Sequence, residues 1–67
     1  MNIQTIHESL VNGQRKQIVK QINEYGLYDF WADYHEYLFN TYVDEHARYE
    51  YFADAAISYH RITADPR

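Results

Sequence analysis

All twelve aromatic residues of this 67-residue chain lie between Tyr25 and Tyr59, and eight of them are tyrosines. Leu27, Phe30, Trp31, Tyr34 and Leu38 recur there at three- and four-residue steps. That spacing gathers them on one side of a helix, and no stretch of the chain shows the two-residue alternation of a strand. The expected fold is therefore all-α, a small single-domain bundle of three to four helices. The same segment holds seven acids and a single base, Arg48. The candidate core and the candidate working surface thus share one stretch of sequence.

A chain of this length forms one domain, and such a domain hides only about 60% of the surface its unfolded form exposes. Cysteine is absent, so neither disulfides nor thiolate zinc sites can supplement packing, and good packing or oligomerisation must supply the stability. No apolar run reaches the roughly 18 residues of a membrane span. Residues 1–11 lack the basic start and apolar stretch of a secretory signal, so the expectation is a soluble, cytoplasmic protein with no membrane partner.

Four helices are predicted, over residues 5–12, 14–25, 28–39 and 42–61, with residues 1–62 forming the bundle and 63–67 a tail. Thr5 and Glu8 have capping-box spacing, and Ile3, Ile6 and Leu10 share a face of the first helix. Asn12-Gly13 either ends that helix or bends a continuous one. In the second, Ile18, Val19, Ile22 and Tyr25 oppose Lys16, Lys20, Asn23 and Glu24, and Gly26 stops it. The third sets its apolar side against an outward row of Asp29, Asp33, Glu36 and Asn40. Thr41 is the expected cap of the fourth, with Asp44 and Glu45 at its positive end. The inner face of that last helix reads Tyr42, His46, Tyr49, Ala53, Ala56, Ile57 and His60. Asp44, Arg48, Tyr51, Asp54 and Ser58 face outward, with Asp44 and Arg48 spaced to pair.

Catalysis would leave a sharp trace, and none is present. There is no nucleophilic cysteine, no glycine-rich elbow around Ser9 or Ser58, no phosphate loop and no dinucleotide fingerprint. Paired carboxylates need a cleft that separates their pKa values, for which a bundle this small has little room. The expectation is a non-enzymatic protein without a cofactor. His7, His35, His46 and His60 do not form HExxH or Glu-x-x-His patterns, and His46 with Glu50 supplies only two ligands. They read as structural histidines, with His46 and His60 expected to bond tyrosine hydroxyls or backbone carbonyls near the apolar face.

Tyr34 and Tyr49 are expected in the core. A small core cannot satisfy eight phenolic hydroxyls, so other tyrosines must reach the surface, Tyr37 and Tyr51 being the candidates for a contact role. The net charge of −4 disfavours direct nucleic-acid binding, which depends on lysine and arginine displacing counterions. Between Glu24 and Asp54 the acids exceed the bases by seven. Carboxylates four residues apart on a helix repeat every ~6 Å, close to the ~7 Å between successive phosphates of a strand. Asp29, Asp33 and Glu36 therefore form a candidate phosphate-like row, extended by Asp44, Glu50 and Asp54 and rimmed by Tyr37 and Tyr51.

In charge and size this design is similar to the small acidic nucleic-acid mimics that phages and mobile elements use against restriction or CRISPR nucleases. The resemblance implies an inhibitor that occupies the nucleic-acid site of a basic protein partner, and it carries no residue role with it. The alternative is a structural or adaptor module forming a homodimer through surplus aromatic surface at Trp31, Phe39, Phe52 or Tyr59. A third reading uses Arg15, Lys16 and Lys20 as phosphate contacts, on three charges without a helix-turn-helix pattern.

Overall fold

The computed structural model describes residues 2–64, and these form four helices: α1 (Ile3–Val11), α2 (Arg15–Tyr25), α3 (Leu27–Thr41) and α4 (Glu45–Ala64). The expected all-α bundle is the observed one. None of the helices is long and apolar enough to cross a membrane among the described residues.

Local chemistry sets each boundary. Asn2, rather than Thr5, caps α1: its side-chain oxygen accepts from the Thr5 amide at 2.9 Å and the Thr5 hydroxyl at 3.0 Å, so the helix begins at Ile3, ahead of the expected start. Asn12-Gly13 ends α1 instead of bending it. Gly13 takes φ +80°, its amide donates to the Leu10 carbonyl at 3.1 Å, and the Gln14 amide donates to that of Ser9 at 2.9 Å. This pair of bonds is a Schellman closure, which needs a left-handed residue at the glycine position. Gly26, at φ +110°, does two jobs: its amide closes α2 on Ile22 and its carbonyl accepts from Phe30 to open α3.

The α3–α4 connection departs from expectation. α3 runs on to Thr41, and Tyr42 is extended, outside α4. Asp44 replaces Thr41 as the cap of α4, accepting from the His46 amide at 3.0 Å. At its other end α4 takes in Thr63 and Ala64, expected in the tail; residues 65–67 lie outside the described residues.

The core is built from Ile6 and Leu10 of α1, Ile18 and Ile22 of α2, Phe30, Tyr34 and Leu38 of α3, and Ala55 of α4. Each large aliphatic or phenyl side chain buried there contributes about 1.5–3 kcal/mol of transfer free energy. The inner face of α3 is as expected, with Trp31 and Leu27 at its margin.

The rotation of α4 is not. Tyr49 is 67% exposed and Ile57 52% exposed, and His46, Ala53 and His60 also face solvent. Ala55 and Ser58 are buried instead, flanked by half-buried Tyr51, Asp54 and Ile62. Two contacts from the first half of the chain accompany this orientation, one polar and one between rings. The Arg15 guanidinium donates from Nη1 to Asp54 Oδ1 at 2.6 Å and to Ser58 Oγ at 2.8 Å. The His7 and Tyr51 rings meet nearly at right angles, 5.0 Å between centroids. The apolar side chains of α4 are scattered around its axis, so burial alone favours no single side, and long-range partners decide which one turns in.

Candidate interaction surface

The outward half of α3 carries two parallel rows. Asp29, Asp33, Glu36 and Asn40 form the first, all exposed as expected. Beside it, at steps of four, three and four residues, stand Tyr28, Ala32, His35 and Phe39, also exposed; Tyr28 is 87% and Phe39 62% accessible. One helix therefore presents a line of carboxylates flanked by a line rich in rings. The ion pairs among the described residues are Arg15–Asp54 and His46–Glu50, so no lysine or arginine of the described chain neutralises Asp29, Asp33 or Glu36. Asp33 is held by the Tyr25 hydroxyl, which donates to Oδ2, and that bond to a carboxylate raises the Tyr25 pKa.

The remaining residues expected at the surface are placed differently. Tyr37 is half-buried one turn beyond Asp33, its ring 5.3 Å from that of His7. Asp44 spends its carboxylate on capping α4. Glu50 is exposed and lies 3.0 Å from His46 Nε2. Asp54 and Tyr51, expected to face outward, both turn toward the bundle, Asp54 onto Arg15 and Tyr51 onto His7 and Tyr42. The structure thus brings Asp29, Asp33 and Glu36 together on α3 and leaves Asp44 and Glu50 at or on α4 with local partners and Asp54 paired with the distant Arg15.

Where α3 meets the start of α4, a groove of about 220 Å³ opens, walled by Leu38, Phe39, Tyr49 and Phe52 with His35, Glu45 and Arg48 at its polar edge. Arg48 does not form the expected pair with Asp44. Its guanidinium carbon sits 4.4 Å above the centre of the Phe39 ring, a cation–π arrangement that partly shields this ring. Of the other aromatics considered for a dimer contact, Trp31, Phe52 and Tyr59 are half-buried and pack against the core, with Trp31–Phe52 ring centroids 5.5 Å apart.

A buried polar centre forms around His7, which the sequence pattern does not single out. His7 is buried, with Nδ1 2.8 Å from the Tyr34 hydroxyl and Nε2 2.9 Å from the Tyr42 hydroxyl. A neutral imidazole has one N–H and one lone pair, so it donates to one phenol and accepts from the other. Burial lowers the His7 pKa, against a smaller opposing pull from Glu8, and burial likewise pushes the Tyr34 hydroxyl well up. The tyrosine bonding expected of His46 and His60 is performed by His7. Its signal was present in the sequence: His7 adjoins Ile6 and lies three residues before Leu10, on the apolar side of α1. Among the described residues no three His, Asp or Glu side chains cluster to hold a metal ion.

Comparison of the chain with protein-family models, curated proteins and solved structures gave no match.

Proposed function

We propose that the protein is a small non-enzymatic binding protein that lays the outward side of α3 into a basic groove of a protein partner, the kind of groove that otherwise holds nucleic acid. The observation that carries this reading is the pairing of an exposed row of carboxylates with an exposed aromatic row on the same helix. The carboxylates supply long-range attraction and register, while Tyr28 and Phe39 supply contact area that a merely solubilising face does not need. A single helix holds both rows rigidly, so little ordering entropy is lost on binding. Phosphate-like spacing along the row favours a nucleic-acid-handling partner over a generic cationic one.

The test is capture from a host extract on immobilised protein, compared with the triple variant Asp29→Asn, Asp33→Asn, Glu36→Gln. The expected result is a retained protein that is lost with the variant, released by raised salt, and displaced by duplex DNA or structured RNA. Retention unchanged by the triple substitution would exclude this ridge as the binding element. Retention that is lost with the variant yet indifferent to competing nucleic acid would keep the ridge and remove the mimicry.

A further inference from the structure

The outward side of α4 presents Tyr49, Ala53 and Ile57 in a line, with His46 and His60 between and beyond them. This is the side expected to face inward, and among the described residues it is left largely open: Tyr49 is 67% and Ile57 52% exposed. Small Ala53 at its centre permits another helix to approach closely. The charges bordering this side are few and ordered. Glu45 and Glu50 lie in the first half of α4 and Arg61 in the second, beside His60, while Asp54, a little farther round the helix on the Arg61 flank, is already neutralised by Arg15.

We infer that this side of α4 is a homodimer interface in which two copies of the chain pack antiparallel about a two-fold axis near residue 55. The charge order selects the occupant. A chain of net charge −4 repels its own copies over most of its surface, and the acidic row of α3 cannot face itself. The outward side of α4 is different, because reversing its direction sets acid against base. With the axis near residue 55, Glu50 of one copy comes level with His60 and Arg61 of the other, and Ala53 with Ile57.

The flanks agree with this arrangement. On the helical wheel Glu50 and Arg61 are about 20° apart on one flank, and Tyr49 and His60 are about 20° apart on the other. A two-fold axis perpendicular to both helices brings each flank against the same flank of the second copy. The pairing therefore places Glu50 beside Arg61 and Tyr49 beside His60 twice over. A parallel arrangement would instead set the Glu50–Arg61 flank of one copy against the Tyr49–His60 flank of the other and give Glu50 no arginine at its level. The antiparallel macrodipoles add a favourable contribution. The groove walled by Phe39, Tyr49 and Phe52 adjoins this side through Tyr49. A core that among the described residues comprises eight buried side chains gains support from such a contact, as small domains without disulfides commonly require.

Sedimentation velocity over a concentration series, on the full chain without any partner, tests this. The expected result is a concentration-dependent rise from 8.1 kDa to twice that mass. Ile57→Glu should weaken association by at least about tenfold, while the helical circular dichroism signal stays unchanged because Ile57 is outside the core. Glu50→Arg alone and Arg61→Glu alone should each be more monomeric, and an equimolar mixture of the two should recover a heterodimer. A chain that stays monomeric at its highest soluble concentration would overturn the inference. So would a dimer whose mass ignores Ile57→Glu, or a mixture of charge variants that fails to associate. None of these results depends on a basic partner, so they are read separately from the acidic ridge of α3.

Discussion

His7 Nδ1 and the Tyr34 hydroxyl meet at 2.8 Å in the middle of the bundle, joining α1 to α3 across 27 residues of chain. Through its other nitrogen the same imidazole reaches Tyr42, just past the end of α3. Each partner satisfies a polar group that burial would otherwise leave unpaired, and an unpaired buried group costs about 1–3 kcal/mol. Tyr34→Phe should therefore destabilise by about that amount, and His7→Ala by more, since it orphans two phenols and opens a cavity. Urea denaturation of the two variants checks the order.

The centre also imposes a pH dependence. Burial depresses the His7 pKa below its ordinary 6.5, so between the folded and unfolded values the unfolded chain binds the extra proton. Stability from this group is then complete above pH 6.5, falls as the pH drops through that value, and levels off once the folded pKa is passed. Denaturation midpoints measured from pH 8 down to pH 5 should decline, and His7→Asn should flatten that part of the decline.

Arg15 should matter more for the orientation of α4 than for the total stability. Its contacts to Asp54 and Ser58 are short, but the Arg15 and Asp54 side chains remain 47% and 41% exposed, so solvent screens the pair. Arg15→Ala is expected to cost only about 0.5–1 kcal/mol, with a smaller effect in high salt. Amide hydrogen exchange should show the larger change, as faster exchange in α4 than in α3.

Gly26 stands where a side chain is strained whatever the room around it. An added Cβ would clear its nearest neighbour, Asp29 Oδ2, by 3.4 Å, yet φ +110° is a conformation essentially restricted to glycine. Gly26→Ala should destabilise by about 1–3 kcal/mol. The measurement is a thermal melt, with a drop of about 4–8 °C per kcal/mol expected for a domain this small.

Gln21 offers a change in the opposite direction. Its Oε1 is buried without a hydrogen-bond partner among the described residues. Replacing the amide by a flexible apolar group of similar length removes that desolvation cost, so Gln21→Met should stabilise by about 1 kcal/mol. A higher urea midpoint at unchanged slope would show it; a lower midpoint would mean that the amide is satisfied in solution.

Much of the bundle was legible in the order of residues because the information was local. The three chain reversals coincide with Asn12-Gly13, Gly26 and the Thr41–Asp44 region, where backbone preference and capping act over a few residues. The inner face of α3 follows from Phe30, Tyr34 and Leu38 at four-residue steps, and the exposed row of Asp29, Asp33 and Glu36 follows from the same period read on the other side. What the local pattern could not decide was the roll of α4 about its own axis. That helix offers apolar side chains all round, so competing orientations bury similar area, and the choice falls to Arg15 and His7, each more than thirty residues away in sequence. Their hydrogen bonds and ring contacts exist only once α1 and α2 are packed. Tyr51, Asp54 and Ser58 are therefore drawn inward and Tyr49 and Ile57 left in solvent, because buried polar groups must find partners while a moderately apolar face can remain exposed until another molecule covers it.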